Sequence, residues 1–206
     1  MSEPSLVILG ATPTPRRRRY VLVGAGVLAV MIVAGAASVP MLRGETEVHR
    51  ADRVYRGLGD VRVYEGLSVG HTSGEVDYGV VPPVGGAHDP AWLACGSYDE
   101  PVRDENAVHD LEHGAVWITY RPDLAPDEIA MLRSRLPSNG IMSPYPGLAG
   151  PVVITVWGRQ LDLTGADDSR LELFIATFGH GETAPEPNAS CAGGISDPGG
   201  RTTTAV

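Results

Sequence analysis

The fold is decided by three short stretches: AVWITY at residues 115–120, APDE at residues 125–128 and PVVITVW at residues 151–157. The first and third are rich in β-branched and aromatic residues, which predicts two strands. The third is apolar almost throughout, so we expect its strand to be central in the sheet. The middle stretch predicts the start of a helix, because proline suits the first helical position and acids suit the first turn.

Apolar residues spaced three, four and seven apart predict two helices. The first follows the APDE stretch and ends before Pro137. The second begins near Asp167 or Asp168, either of which can cap it, and ends at Gly179, where we expect a left-handed conformation. The apolar faces consist of Ile129, Leu132 and Leu136 in the first helix, and Leu171, Phe174, Ile175 and Phe178 in the second.

Working outward, Gln160–Leu163 alternates between polar and apolar residues and predicts a third strand, while Val61–Tyr64 predicts a short one. Residues 66–114 are rich in Gly and Pro, which predicts mostly loop. The order strand, helix, strand, strand, helix predicts an α+β fold. We expect a two-layer sandwich in which a small β-sheet carries helices on one face.

An uncharged apolar run occupies residues 20–42 and follows Arg16–Arg19. It is long enough to cross a bilayer, and arginines before it favour a cytoplasmic N-terminus. The alternative is a cleaved signal peptide, with a small-residue site at Ala34–Ala36. Both interpretations export the rest of the chain, and the first predicts a single-pass protein of the cell membrane.

The chain therefore divides into five predicted parts. We expect a disordered cytoplasmic tail at 1–19, a transmembrane helix at 20–42 and a juxtamembrane linker at 43–65. An extracytoplasmic α+β domain follows at 66–187, and a flexible tail at 188–206. All 16 basic residues are arginine; 12 of them follow residue 42 together with 24 acids, which gives that part a net charge of about −12. Such a charge disfavours nucleic-acid binding. The predicted partner is the membrane, through the apolar segment at 20–42, and protein partners are undetermined.

The two cysteines, Cys95 and Cys191, both lie in the exported part. An even count in an oxidising compartment favours a disulfide, and two free thiols are the alternative. The chain contains no CxxC motif, so thiol–disulfide catalysis has no support.

The densest group of reactive side chains is HDLEHG at residues 109–114. If Asp104 caps a short helix here, His109 and His113 lie on one face, and Val108 and Leu111 turn towards the core. Two imidazoles four residues apart can bind one metal ion, and zinc sites use this spacing. The letters also match the H-x-x-E-H motif of inverted zinc peptidases, in which Glu112 would be the catalytic base of a metal-dependent hydrolase.

The sequence thus leaves three functions open for one set of residues. The first is a non-catalytic site for a divalent transition metal such as zinc, the second is the hydrolase, and the third is a structural or interaction domain whose histidines brace loops. We expect His88, His109 and His113 to converge in space. Tyr78 and Tyr98 are candidates to line a pocket, or else belong to a satellite core. The candidate metal ligands are His71, His88, His109, Glu112 and His113.

Several motifs in this region resemble one known family. They are His71, Tyr78, Pro82-Pro83, Gly86-x-His88, Gly96-x-Tyr98, His109-x-Leu111-Glu112-His113-Gly114, Trp157-Gly158 and Pro185-Glu186. In this order they are similar to DUF3105, a family of membrane-anchored, largely actinobacterial proteins, over roughly residues 66–187. The chain departs from the family pattern at Gly85, where serine is usual, and at Asp110, where serine or asparagine is usual. The resemblance implies the membrane topology and a shared His-rich site, but it carries no established activity.

Overall fold

A computed structural model describes residues 57–200 of the chain. The predicted cytoplasmic tail, the apolar segment at 20–42 and most of the linker lie outside the described residues. Within residues 57–200, none of the helices has the length and apolar character needed to cross a bilayer. These residues form an α+β domain with a six-stranded mixed sheet and three helices.

The sheet has the strand order β1-β6-β5-β3-β4-β2. Strands β2, β4 and β3 run parallel to one another, and the remaining neighbours are antiparallel. The elements in chain order are β1 (Arg62–Val63), β2 (Gly96–Ser97), α1 (Asp104–Glu112), β3 (Val116–Tyr120), α2 (Pro126–Arg135), β4 (Gly140–Pro144), β5 (Val152–Val156), β6 (Arg159–Leu163) and α3 (Arg170–Phe178).

The four strands and the helices predicted from sequence patterns are confirmed as β1, β3, β5, β6, α2 and α3. The sequence does not predict strand β4, because glycine and proline stand at its ends and its apolar run is only Ile141 and Met142. It pairs with β3 in parallel, and α2 supplies the crossover that a parallel pair requires.

Side chains alternate between the two faces of the sheet, and both faces are buried. On one face, Ile118 packs in a core with Leu132 of α2 and Phe174 of α3. On the other face, Trp117 packs with Leu111 of α1. The predicted two-layer arrangement with helices on one face is therefore wrong. The central strands are covered on both sides, and the short α1, together with the loop region before it, forms the third layer.

The end of α3 also differs from the prediction. Gly179 has a φ of −83°, which is right-handed, so a left-handed stop is not the reason for glycine here. A Cβ atom at this position would lie 2.6 Å from the carbonyl oxygen of Ile175. Glycine is needed because the chain passes too close to the preceding helical turn for a side chain.

The segment after residue 188, predicted to be a flexible tail, is packed against the domain as far as residue 200. Ile195 pairs with Leu93 through a parallel bridge, and the Arg103 N–H donates to the Pro198 carbonyl at 2.8 Å. This segment therefore covers the beginning of α1, the helix that carries most of the candidate ligands.

Candidate metal centre

Helix α1 holds three candidate ligands on the side that faces away from the sheet. Val108 and Leu111 are fully buried towards the sheet, as predicted. The helix begins one residue earlier than predicted, since Arg103 is its cap and Asp104 its first residue. The spacing of i, i+3 and i+4 places His109, Glu112 and His113 together on the opposite side.

Two loop segments bring the remaining histidines above this helix. His71 and His88 form a parallel backbone bridge. The Thr72 N–H donates to the His88 carbonyl at 2.7 Å, and the His88 N–H donates to the Gly70 carbonyl at 3.0 Å. These bonds fix the two imidazoles next to each other, with ring centroids 4.7 Å apart.

The four side chains converge on the Glu112 carboxylate. Its Oε2 lies 2.9 Å from His88 Nε2, 3.8 Å from His71 Nε2 and 4.0 Å from His109 Nε2. One ligand atom from each residue lies within 4.8 Å of every other, a grouping that can hold a metal ion. His88, His109 and Glu112 are buried, whereas the His71 side chain is 49% exposed and gives the group one side open to solvent.

Backbone carbonyls orient three of the imidazoles. Nδ1 of His88 lies 2.8 Å from the Gly86 oxygen, Nδ1 of His109 lies 2.6 Å from the Asp89 oxygen, and Nδ1 of His113 lies 3.2 Å from the Ser190 oxygen. A carbonyl only accepts, so each Nδ1 carries the ring proton and donates it. In the neutral imidazole each Nε2 then presents a lone pair, which is the arrangement that metal-bound histidines adopt.

This tautomer leaves an unusual contact between His88 and Glu112. The Nε2 of a neutral His88 and the oxygen of an ionised Glu112 both present lone pairs across 2.9 Å. Two acceptors at hydrogen-bond distance repel unless a proton or a cation lies between them. A proton at Nε2 of His88 would make this contact a hydrogen-bonded ion pair, and a cation would accept both lone pairs, whereas the hydrogen bonds to carbonyls explain only the Nδ1 side of the rings.

The surroundings of His109 keep it in the neutral form that binds metals. Burial lowers the pKa of His109 to about 4, and the neighbouring imidazoles of His113, His88 and His71 lower it further, against the hydrogen bond to Asp89. A neutral imidazole with a free Nε2 is available at physiological pH without first losing a proton.

His113 lies beside this four-residue group rather than within it. Its Nε2 lies 3.1 Å from His109 Nε2 and 3.5 Å from Glu186 Oε2. The indole of Trp92 packs against both imidazoles, with centroids 5.4 Å from His109 and 5.0 Å from His113. Glu186 belongs to the family motif Pro185-Glu186, but no pattern in the sequence predicts that it lies at the site.

The two tyrosines considered for a pocket are partly buried against the core beneath α1. The Tyr78 hydroxyl donates to the Ala87 carbonyl at 2.8 Å, and the Tyr98 hydroxyl donates to the Ala94 carbonyl at 2.6 Å. Burial raises the pKa of Tyr98 to about 12, so it remains a donor. Both hydroxyls hold the loops that flank the site.

Asp110, where the chain departs from the family pattern, is fully buried. Its Oδ2 accepts a hydrogen bond from the Leu93 N–H at 3.1 Å, and its Oδ1 is unpaired within the described residues. Burial raises the pKa of Asp110 well above its usual range. The side chain points away from the ligand group and fixes the loop that carries Trp92.

The predicted disulfide between Cys95 and Cys191 is confirmed, with Cα atoms 4.9 Å apart. Ser190, whose carbonyl accepts the His113 proton, is the neighbour of Cys191. The bond therefore ties the residue that orients His113 to the loop that precedes α1.

The comparison with protein families gives one match, to the family described as "Protein of unknown function (DUF3105)", over residues 71–193. The matched region begins at His71 and contains the whole four-residue group. It also contains His113, Glu186 and both cysteines. No curated protein and no solved structure matches the chain.

Proposed function

The chain belongs to the DUF3105 family, whose description states no activity, and from that premise we propose that the domain binds a divalent transition metal such as zinc. The role that we propose is a non-catalytic one. The ligands are three imidazole nitrogens and one carboxylate oxygen, from His71, His88, His109 and Glu112.

The contact between His88 and Glu112 is the observation that supports this proposal most directly. With His88 neutral and Glu112 ionised, two lone pairs face each other in a buried position, which is unfavourable unless a proton or a cation lies between them. A metal ion at this point accepts both lone pairs, together with those of His71 and His109.

The chemistry of the ligands favours a transition metal of the zinc class. Imidazole suits zinc, copper, nickel and iron, whereas magnesium and calcium prefer sites made of oxygen ligands. Both cysteines are joined in the disulfide, so no thiolate competes for the ion. Zinc sites with histidine and carboxylate ligands place these atoms about 2.0–2.2 Å from the ion.

A metal-dependent hydrolase is less well supported. In that mechanism Glu112 stands beside the metal and activates a bound water. Here its carboxylate oxygen is instead the atom around which the three Nε2 atoms gather, which favours a ligand role.

We further propose that the domain lies outside the cytoplasm and is anchored by the segment at 20–42. The support is the arginine cluster before that segment, together with the disulfide, because structural disulfides persist in oxidising compartments. A reporter enzyme that works only outside the cytoplasm, fused after Val206, should be active. Activity of a cytoplasmic reporter at the same position would overturn the orientation.

Metal analysis of the purified protein tests the binding proposal. After removal of metal with a chelator and dialysis against zinc, the protein should retain at least one zinc ion per chain. His88→Ala should lose that ion, whereas His180→Ala, at an exposed histidine outside the cluster, should retain it. Absence of bound zinc, with no chelator effect on thermal stability, would favour the bracing network.

A further inference from the structure

We propose that the cluster binds a second divalent cation, held by His109, His113 and Glu186 beside the first. This inference rests on the proposed function and extends it from a mononuclear to a binuclear centre. It assigns a role to His113 and Glu186, which the four-residue group leaves unused.

A second contact between two acceptors motivates the proposal. The Nδ1 protons of His109 and His113 are donated to the carbonyls of Asp89 and Ser190, so in the neutral rings both Nε2 atoms carry lone pairs. These Nε2 atoms lie 3.1 Å apart in a buried position. The contact repeats, at a different point of the cluster, the unfavourable arrangement between His88 and Glu112.

One cation cannot accept the lone pairs of both contacts, the one between His88 and Glu112 and the one between His109 and His113. Ligand atoms around one zinc ion lie about 2.1 Å from it, hence no more than about 4.2 Å from one another. His113 lies outside the group whose ligand atoms are all within 4.8 Å of each other. A cation among His71, His88 and Glu112 therefore leaves the lone pair of His113 unmatched.

Glu186 completes a second set of three ligands. Its Oε2 lies 3.5 Å from His113 Nε2, and its backbone N–H donates to the Glu112 carbonyl at 3.0 Å, which anchors it beside α1. Its side chain is 58% exposed, and the proposal requires its carboxylate to reach His109 as well as His113. In a binuclear centre His109 moves from the first set to the second: His71, His88 and Glu112 hold the first cation, and His109, His113 and Glu186 hold the second.

The Glu112 carboxylate lies between the two sets. Its Oε2 is 2.9 Å from His88 Nε2 in the first set and 4.0 Å from His109 Nε2 in the second. A carboxylate in this place can bridge two ions, and ions in binuclear centres are about 3.5–4 Å apart. With His109 assigned to the second cation, the first keeps three protein ligands and an open position on the exposed side of His71.

Zinc stoichiometry of the full-length protein tests the inference. Elemental analysis should find two zinc ions per chain in the wild type and one in His113→Ala, while His180→Ala should keep two. One ion in the wild type, or two in His113→Ala, overturns the second site and leaves the first intact. No zinc in the wild type overturns the proposed function itself, so the two failures are distinguishable.

A second variant guards against misfolding of His113→Ala. Glu186→Gln changes only an exposed carboxylate and should weaken the second binding step at least about tenfold while the first step is unchanged. X-ray absorption of the zinc-loaded wild type should show a metal–metal distance of about 3.5–4 Å. An unchanged second binding step in Glu186→Gln, or absence of the metal–metal distance, contradicts the binuclear centre.

Discussion

At the scale of single residues, Glu112 meets two opposing requirements. As an ionised carboxylate it suits a metal, but without one it faces the lone pair of His88 in a buried site. Residues that serve a ligand in this way commonly destabilise the unliganded fold.

We expect Glu112→Gln to raise the stability of the metal-free protein and to reduce the stabilisation by zinc, because the first set of ligands loses its carboxylate. The amide of glutamine can donate to His88 Nε2, which replaces a repulsive contact with a hydrogen bond. The gain should be about 1–2 kcal/mol, measured by denaturation in the presence of a chelator. Adding zinc should then raise the melting temperature of the wild type more than that of the variant.

Glu172→Gln is the matched control, because Glu172 is exposed and pairs weakly with Arg135 at 3.6 Å. Its stability should stay within about 0.5 kcal/mol of the wild type, and its response to zinc should be unchanged. A metal-free Glu112→Gln protein that is less stable than the wild type would show that the His88 contact is not repulsive.

The candidate ligands themselves could be predicted from sequence, whereas their partners could not. The spacing in HDLEHG places three side chains on one helix face. Two of them are imidazoles, and metal binding is one of the few chemical roles of an imidazole. The carbonyls that orient them, such as that of Ser190, belong to backbone far away in the chain. Glu186 was missed for the same reason, since a surface glutamate in a Pro-rich stretch has no local pattern that indicates a ligand.

At the scale of elements, the site depends on how two loops are held against α1. Arg103 makes this connection, because its guanidinium contacts the Asp89 carboxylate at 2.6 Å and the Glu105 carboxylate at 3.1 Å. It also donates to the carbonyls of Ser73 and Gly74 at 3.4 Å. One side chain therefore joins the loop after His71, the loop after His88 and the start of the helix.

We expect Arg103→Lys to weaken zinc binding about tenfold or more, and Arg103→Met to weaken it further. Lysine keeps the charge but cannot bond several acceptors with one rigid planar group. Isothermal titration measures the effect. Arg133→Met is the control, since Arg133 is exposed and paired with the exposed Asp99, and it should bind zinc like the wild type. Equal affinities in the two methionine variants would remove Arg103 from the positioning of the site.

The turn after α1 gives a second prediction at this scale. Gly114 has a φ of +76°, and a Cβ atom there would lie 2.9 Å from the Cα of Gly181. Gly147 has a φ of +85° with no atom within 4 Å of such a Cβ. Gly147→Ala should therefore cost about 1–2 kcal/mol from backbone strain alone, and Gly114→Ala clearly more, in chemical denaturation. Equal losses would mean that Gly181 moves aside at no cost.

The elements with strong local patterns were predicted, and those fixed by tertiary contacts were not. The alternation and composition of β3, β5 and β6 reflect their buried position in the sheet. Strand β4 takes its structure from pairing with β3 along a short run that begins with Gly140 and ends with Pro144. The sequence predicts two layers and the structure has three. The third layer is missed because the apolar face of α1 consists only of Val108 and Leu111, within a Gly- and Pro-rich region.

At the scale of the whole molecule, the disulfide connects residues 96 positions apart. We expect the paired change Cys95→Ala with Cys191→Ala to lower the free energy of unfolding by up to about 4–5 kcal/mol, because the unfolded chain regains conformational freedom. It should also weaken the second binding step, since Ser190 no longer holds the His113 ring. Denaturation curves and zinc titrations measure the two effects.

Ser190→Ala is the control for that experiment, because it removes a hydroxyl and leaves the carbonyl that His113 uses. Its zinc binding should equal that of the wild type. A paired cysteine variant with wild-type stability and two bound zinc ions would show that packing of the segment after residue 188 suffices without the bond.

The positions of the ligands along the chain also set an order in time. A ribosome makes His71, His88 and Glu112 well before it reaches Glu186 and Ser190. In the proposed binuclear centre the first set of ligands is therefore completed before the second, and Cys191, which pairs with Cys95, is made after all of them. We therefore expect the two cations to bind in this order during biosynthesis, with the disulfide formed last.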